Sequence, residues 1–185
     1  AYSNEAALAG EEPESEAQAL QRRTLEKQRE NAGYTFELIR RVTEEPLTER
    51  GQIALEQLAY LEGAESDQLL MEWLQAGELH PLLQFRGLQT LKRRGAQGPI
   101  RLPREGVTLE LEIERTPLSP GDFPPAVDEV LERVSGQTDN ESPSMFYFAR
   151  ELWMQFMMTT YGTHDYVALI HGEEGELDAW AAALH

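Results

Sequence analysis

A pattern of leucine, arginine and glycine recurs along this chain and limits the folds that it can adopt. The two copies lie 36 positions apart and share residue types and spacing: Leu47, Arg50, Gly51 and Leu55, then Leu83, Arg86, Gly87 and Leu91. Pairs of stacked helices recur at spacings of about 33 to 47 residues. Residues 46–98 are therefore predicted to form successive helices joined by short, glycine-marked turns.

Capping residues, glycines and prolines divide the first 98 residues into five predicted helices. Pro46 separates the second helix from the third, because the residue before a proline avoids the α conformation. The third helix is expected over about 47–62, with Leu47 and Ile53 on its buried side. Ser66 or Asp67 is expected to cap the fourth helix. Ser15 and His80-Pro81 mark the starts of the first and fifth helices, and the apolar stripe of the second helix begins at Tyr34. The helix ends are marked by Gly33, Gly63, Gly77 and Gly95.

The pattern changes after residue 98. From Val107 to Ile113 apolar and polar residues alternate, as in a strand with one solvated face. Ile100 and Leu102 alternate in the same way, and 103–106 reads as a four-residue turn. We predict one β-hairpin over about 99–115, inserted in an otherwise mainly α array of antiparallel helical hairpins.

Helices are predicted again beyond a proline-rich connection. One spans Val127 to about Gly136 and is followed by a polar loop over 137–142; another runs from Pro143 to Gly162. Aromatic residues and methionines cover nearly all sides of the latter, which indicates either a core helix or a dimer or partner surface. Two short helices follow, although 166–171 fits a strand as well.

Charge is distributed unevenly. Thirty-three acids and 16 bases give a net charge of −17, which disfavours general nucleic-acid binding because phosphate contacts need clustered bases. No acid lies between Glu78 and Glu105, and this interval carries six bases: Arg86, Lys92, Arg93, Arg94, Arg101 and Arg104. The six either pair with acidic neighbours inside the fold or form a patch that binds a protein partner with acidic groups.

The segment Pro81, Gly87, Leu91 and Gly95 resembles the second helix of a HEAT repeat, with His80 where an acid commonly stands. Residues 143–153 repeat its spacing more loosely. The resemblance covers about 46–98 and, weakly, 123–162. Armadillo and tetratricopeptide (TPR) repeats are related alternatives, although the TPR pattern of Trp, Gly-Tyr and Pro is not evident. The resemblance implies a scaffold for protein partners, and we expect a non-enzymatic scaffold or adaptor. A homodimer through the aromatic helix is an alternative assembly.

Sequence motifs for catalysis or cofactor binding are not found. His164 and His171 lie seven residues apart near Asp165 and Glu173, but this spacing matches no established zinc motif. We therefore expect no catalytic residue, no metal and no cofactor. The alternative is a ligand-binding or enzymatic domain with a pocket between the helices and the hairpin.

The predicted domain organisation is simple. Residues 1–14 are expected to be an acidic flexible tail or linker, and 15–185 one helical domain, with 15–98 and 99–185 as an alternative division. The absence of cysteine fits a reducing cytoplasm. The absence of a long apolar run predicts no association with a membrane.

Overall fold

The computed structural model describes residues 14–138 and 143–184, so the predicted tail lies almost entirely outside it. Over the described residues the chain forms nine α-helices and one antiparallel two-stranded sheet, which confirms the mainly α class and the hairpin. The elements are α1 (Glu16–Glu30), α2 (Tyr34–Glu44), α3 (Glu49–Tyr60), α4 (Ala64–Ala76), α5 (Pro81–Arg93), β1 (Pro99–Arg104), β2 (Val107–Glu112), α6 (Pro125–Thr138), α7 (Pro143–Thr160), α8 (His164–Ile170) and α9 (Glu174–Leu184).

The first five helices pack in two layers. Helices α1, α3 and α5 lie side by side and form the first layer; α2 and α4 contact each other and form the second. Each second-layer helix also contacts the first-layer helix that follows it in sequence. This arrangement repeats one helix pair along the chain, as the recurrence predicts.

The recurring glycines occupy equivalent contacts. A Cβ atom on Gly51 would overlap the carbonyl oxygen of Glu45, at the end of α2. A Cβ on Gly87 would lie 2.6 Å from Cδ2 of Leu74, in α4. Glycine therefore recurs where a first-layer helix closely approaches the preceding second-layer helix or its end, against backbone at Gly51 and against a side chain at Gly87.

The recurrence of leucine holds only in part. Leu55 and Leu91 are both buried, but Leu47 is 65% exposed whereas Leu83 is buried. The predicted burial of Leu47 is wrong because α3 begins only at Glu49, which leaves Leu47 in the preceding turn. Ile53, also predicted to be buried, is 40% exposed.

The fourth helix begins earlier than predicted. Gly63, with φ of +90°, precedes its first residue, Ala64, and no side chain caps it. The prediction that Ser66 or Asp67 is the cap is therefore wrong. Ser66 is instead buried inside the helix, where its hydroxyl lies 3.2 Å from the hydroxyl of Thr35.

The hairpin turn is tighter than the predicted four residues. The chain reverses at Glu105-Gly106, both of which have positive φ, as in a type I′ turn. Pro103 and Arg104 therefore belong to β1, where they pair with Thr108 and Val107. Strand β1 packs against α4, so the hairpin extends the second layer where a third helix would otherwise stand.

The C-terminal helices surround a second hydrophobic core. Helix α6 ends at Thr138, two residues beyond the predicted end near Gly136, so it includes the first two residues of the predicted loop; 139–142 of that loop lie outside the described residues. Residues 164–170 form a helix rather than a strand. Phe85 of α5 belongs to this second core, and Tyr161 packs against both cores.

Candidate functional site

A polar groove of about 410 Å³ runs between α3 and α5 in the first layer. Helix α5 contributes Arg86, Gln89 and Arg93, which are three and seven residues apart and so share one helical face. Helix α3 contributes side chains at four-residue intervals: Gln52, Glu56 and Tyr60. We call this surface the α3–α5 groove.

The two arginines of the α3–α5 groove keep their charge on the surface. Arg86 and Arg93 are exposed, and neither forms an ion pair with any residue of 14–138 or 143–184. The facing acid, Glu56, accepts a hydrogen bond of 3.1 Å from the hydroxyl of Tyr60. Burial and this hydrogen bond raise the pKa of Tyr60. The α5 wall of the groove is therefore cationic and able to receive acidic groups.

Arg94 serves the fold, although the same basic run predicted it as a partner-binding residue. Its side chain is only 4% exposed, and its Nε donates to Oδ1 of Asp67 over 2.6 Å. Its Nη atoms donate to backbone carbonyls at the C-terminal end of α3 and just beyond: those of Leu58, Leu61 and Gly63. A cation in this position satisfies carbonyls that the helix leaves without partners.

The other three predicted binding residues, Lys92, Arg101 and Arg104, have hydrogen-bond or ion-pair partners within the fold. Lys92 donates to the carbonyl of Thr116 over 2.7 Å. Arg101 forms an exposed cross-strand pair of 3.0 Å with Glu110. Arg104 is buried and is treated with its pocket below. The structure thus separates the basic interval into two exposed groove residues and four residues engaged elsewhere.

Sequence reasoning missed the α3 wall of the groove. Gln52, Glu56 and Tyr60 stand in the same helix as the buried Leu55 and Leu58, and Leu55 lies at the base of the same groove. The signal was present, since residues four apart share a helical face. Only the packing of α3 beside α5 shows that this face meets the arginines.

A second pocket of about 380 Å³ lies between the hairpin and the α7–α8 turn, where the alternative function was expected. Arg104 lines it, donating to Oε1 of Gln84 over 2.8 Å and to the carbonyl of Thr159 over 2.7 Å. Burial lowers the pKa of Arg104. His164 and Asp165 also line the pocket and are exposed. Nδ1 of His164 lies 3.8 Å from Oδ1 of Asp165.

The histidines do not gather a metal-ligand set within the described part of the chain. Neither His164 nor His171 belongs there to a group of three or more His, Cys, Asp or Glu suited to hold a metal ion. Among the same residues, no helix is long and apolar enough to cross a bilayer.

Layered helix pairs with glycines at repeated contacts define a helical-repeat architecture, in agreement with the HEAT, armadillo and TPR resemblance. Over 117 residues the chain is 26% identical to the TPR repeat-containing protein YsoA of Bacillus subtilis (strain 168). The alignment covers 63% of this chain and 32% of YsoA, so the chain spans about a third of that relative. No family model and no solved structure matches the chain.

Proposed function

We propose that this protein is a non-enzymatic interaction scaffold or adaptor whose α3–α5 groove binds an acidic segment of a partner protein. The observation that carries the proposal is the pair of exposed arginines, Arg86 and Arg93, in a chain of net charge −17. Neither arginine forms an ion pair within 14–138 or 143–184, so both can bind carboxylates of another protein. The similarity to a TPR repeat-containing protein supports an interaction role in general terms.

The spacing of the arginines suggests the form of the partner. Arg86 and Arg93 are seven positions apart in α5, which corresponds to a rise of about 10 Å along the helix axis. An extended peptide covers that distance in about three residues. Guanidinium groups bind carboxylates through paired hydrogen bonds, and the exposed amide of Gln52 offers donors and an acceptor for a peptide backbone, whereas Nε2 of Gln89 already donates to the carbonyl of Pro117 over 2.8 Å. The expected ligand is an extended segment with two acids about three residues apart.

A photo-crosslinking amino acid at Gln89, in the groove, tests the proposal in lysate. The same reporter at Gln68, exposed on α4 in the second layer, controls for nonspecific capture. Proteins captured from position 89 and not from position 68 should carry acidic segments. Capture should fall at least about tenfold in R86E/R93E, as expected when charge repulsion replaces attraction.

The matched control for that variant is R40E/R41E, which makes the same total charge change at exposed positions of α2. Capture by R40E/R41E should stay at the wild-type level, and circular dichroism should show both variants folded. Equal capture by R86E/R93E and wild type would contradict the proposal.

We also propose a cytoplasmic setting, because the chain has no cysteine and so fits a reducing compartment. Binding of a small molecule in the hairpin pocket stays an alternative, for which a thermal-shift screen with metals and metabolites is the test.

For the domain organisation, we propose that a division falls in the connection at 116–122 rather than at 98, because the hairpin shares the first core.

A further inference from the structure

Helix α7 presents a stripe of large apolar side chains to solvent. Met145, Phe148 and Leu152 are 55%, 67% and 62% exposed. They are spaced by three and four residues, so they lie along one face of the helix. The opposite side of α7 supplies Trp153 and Met157 to the second core.

The stripe leads into an apolar groove between α7 and α9. This α7–α9 groove has a volume of about 220 Å³ and is lined by Leu152, Trp153, Phe156, Trp180, Ala183 and Leu184. Its aromatic rings contact one another: Phe156 and Trp180 have centroids 5.4 Å apart, and Trp153 and Phe156 5.8 Å. These contacting rings, one pair stacked and the other tilted, form an aromatic floor on which an inserted apolar side chain could pack.

The segment of the sequence that contains this groove is acidic. Residues 123–184 hold eleven acids and two bases, a net charge of −9. One of the two bases, Arg133, is already engaged, with Asp178 at 2.8 Å and Glu129 at 3.6 Å. The exposed acid Glu176 stands four residues before Trp180, on the same side of α9, and Glu173 is exposed just before the helix begins.

We propose that the α7–α9 groove binds a basic amphipathic helix from a partner protein. The apolar face of that helix would cover Phe148 and Leu152 and place one large side chain over the aromatic floor. Its lysines or arginines would meet the surrounding acids. A helix fits because the exposed stripe is itself a straight helical face, the geometry of helix-in-groove recognition. This surface prefers the opposite charge from the α3–α5 groove, so the two can engage different partners.

Charge complementarity favours this occupant over a second copy of the chain. Pairing two copies through the groove would bring two segments of net charge −9 together. Like charges placed across an interface oppose association, whereas a basic helix gains encounter rate from the same field.

The test uses designed peptides of the same length as α7. The probe has leucines at helical spacing on one face and lysines elsewhere. Its controls are a peptide with glutamate in place of lysine and a scrambled peptide of the lysine composition. Fluorescence anisotropy of labelled peptides should show saturable binding of the lysine probe alone, weakening as salt screens the charges.

Two protein variants locate the binding. L152E removes an apolar contact from the groove, and L47E makes the same substitution at a similarly exposed leucine before α3. L152E should weaken binding of the lysine probe at least tenfold even though it adds a negative charge, and L47E should not. Equal binding by L152E and wild type would overturn the proposal, as would equal binding of the scrambled or glutamate peptide. A wild-type dimer that L152E converts to monomer would overturn it in favour of a second copy.

Discussion

At the scale of single residues, the recurring glycines are places where two backbones or a backbone and a leucine nearly touch. Gly51 faces the carbonyl oxygen of Glu45, which also accepts a hydrogen bond from Thr48 and cannot move without loss. Gly87 faces only the flexible end of Leu74. The same sequence feature thus carries different costs in the two repeats.

We predict that G51A lowers the free energy of unfolding by about 2–3 kcal/mol, since overpacking costs about 1–3 kcal/mol and backbone offers little relief. G87A should cost about 1 kcal/mol or less, because Leu74 can shift and alanine favours helix. Urea denaturation measures both. The control is G136A in α6, where a Cβ meets nothing within 4 Å; it should stabilise by about 0.5–1 kcal/mol. Equal effects of G51A and G136A would contradict this account.

Arg94 illustrates what the sequence could not reveal. The sequence placed it in a basic run at a helix end, but its partners lie 27 to 36 residues earlier in the chain. The sequence shows that the run is basic, but the tertiary contacts decide which of its side chains face solvent. For Arg86 and Arg93, which are exposed, partner binding stays a prediction.

We predict that R94A destabilises the protein by about 2–4 kcal/mol, because it leaves Asp67 and several backbone carbonyls without their donor. R93A, which removes an exposed neighbour in the same helix end, should change stability by no more than about 0.5 kcal/mol. Thermal and urea unfolding of the two variants, side by side, measure the difference. Comparable stabilities would show that Arg94 does not hold the end of α3.

At the scale of elements, the hairpin was predictable and its position was not. Alternation over 107–113 identified the second strand, although its apolar face is buried only in part: Leu109 is buried, whereas Val107 is 59% exposed. Its place beside α4 follows from burial of Ile100 and Leu102, a contact that no local pattern encodes. The predicted turn was too long because Pro103 and Arg104 resemble turn residues while pairing in the ladder.

The turn gives an element-scale prediction. Glu105 has φ of 49°, a conformation that asparagine adopts more readily than glutamate. E105N should therefore stabilise the protein by up to about 1 kcal/mol, which is part of the cost of the left-handed conformation for an ordinary L-residue. G106A, at φ of 80°, should destabilise it. Thermal unfolding measures both, and a loss of stability in E105N would show that the turn is held by other forces.

At the scale of the whole molecule, Phe85 and Tyr161 connect two hydrophobic cores. Tyr161 also contacts Tyr166, the ring centroids being 5.2 Å apart. The sequence predicted one helical domain or two halves but placed the hairpin with the second half. Packing of the hairpin against α4 is what joins it to the first.

This junction predicts a dependence on alkaline pH. Burial raises the pKa of Tyr166 from 10.0 to about 12. Between these values the unfolded chain loses the tyrosine proton while the folded chain keeps it, so stability present below pH 10 falls as the pH rises towards 12. Y166F should reduce that fall, measured by urea unfolding at a series of pH values. Y147F, at an exposed site, should retain it, and an unchanged slope in Y166F would count against the buried-phenol explanation.

We expect the α3–α5 groove to select acidic peptides. Random displayed peptides can be selected on the wild-type chain and their affinities then measured for R86E/R93E and R40E/R41E. The account predicts peptides with two acids about three residues apart. Their affinity should fall at least tenfold for R86E/R93E and stay unchanged for R40E/R41E. Selected peptides without acidic enrichment, or with equal affinity for all three chains, would contradict it.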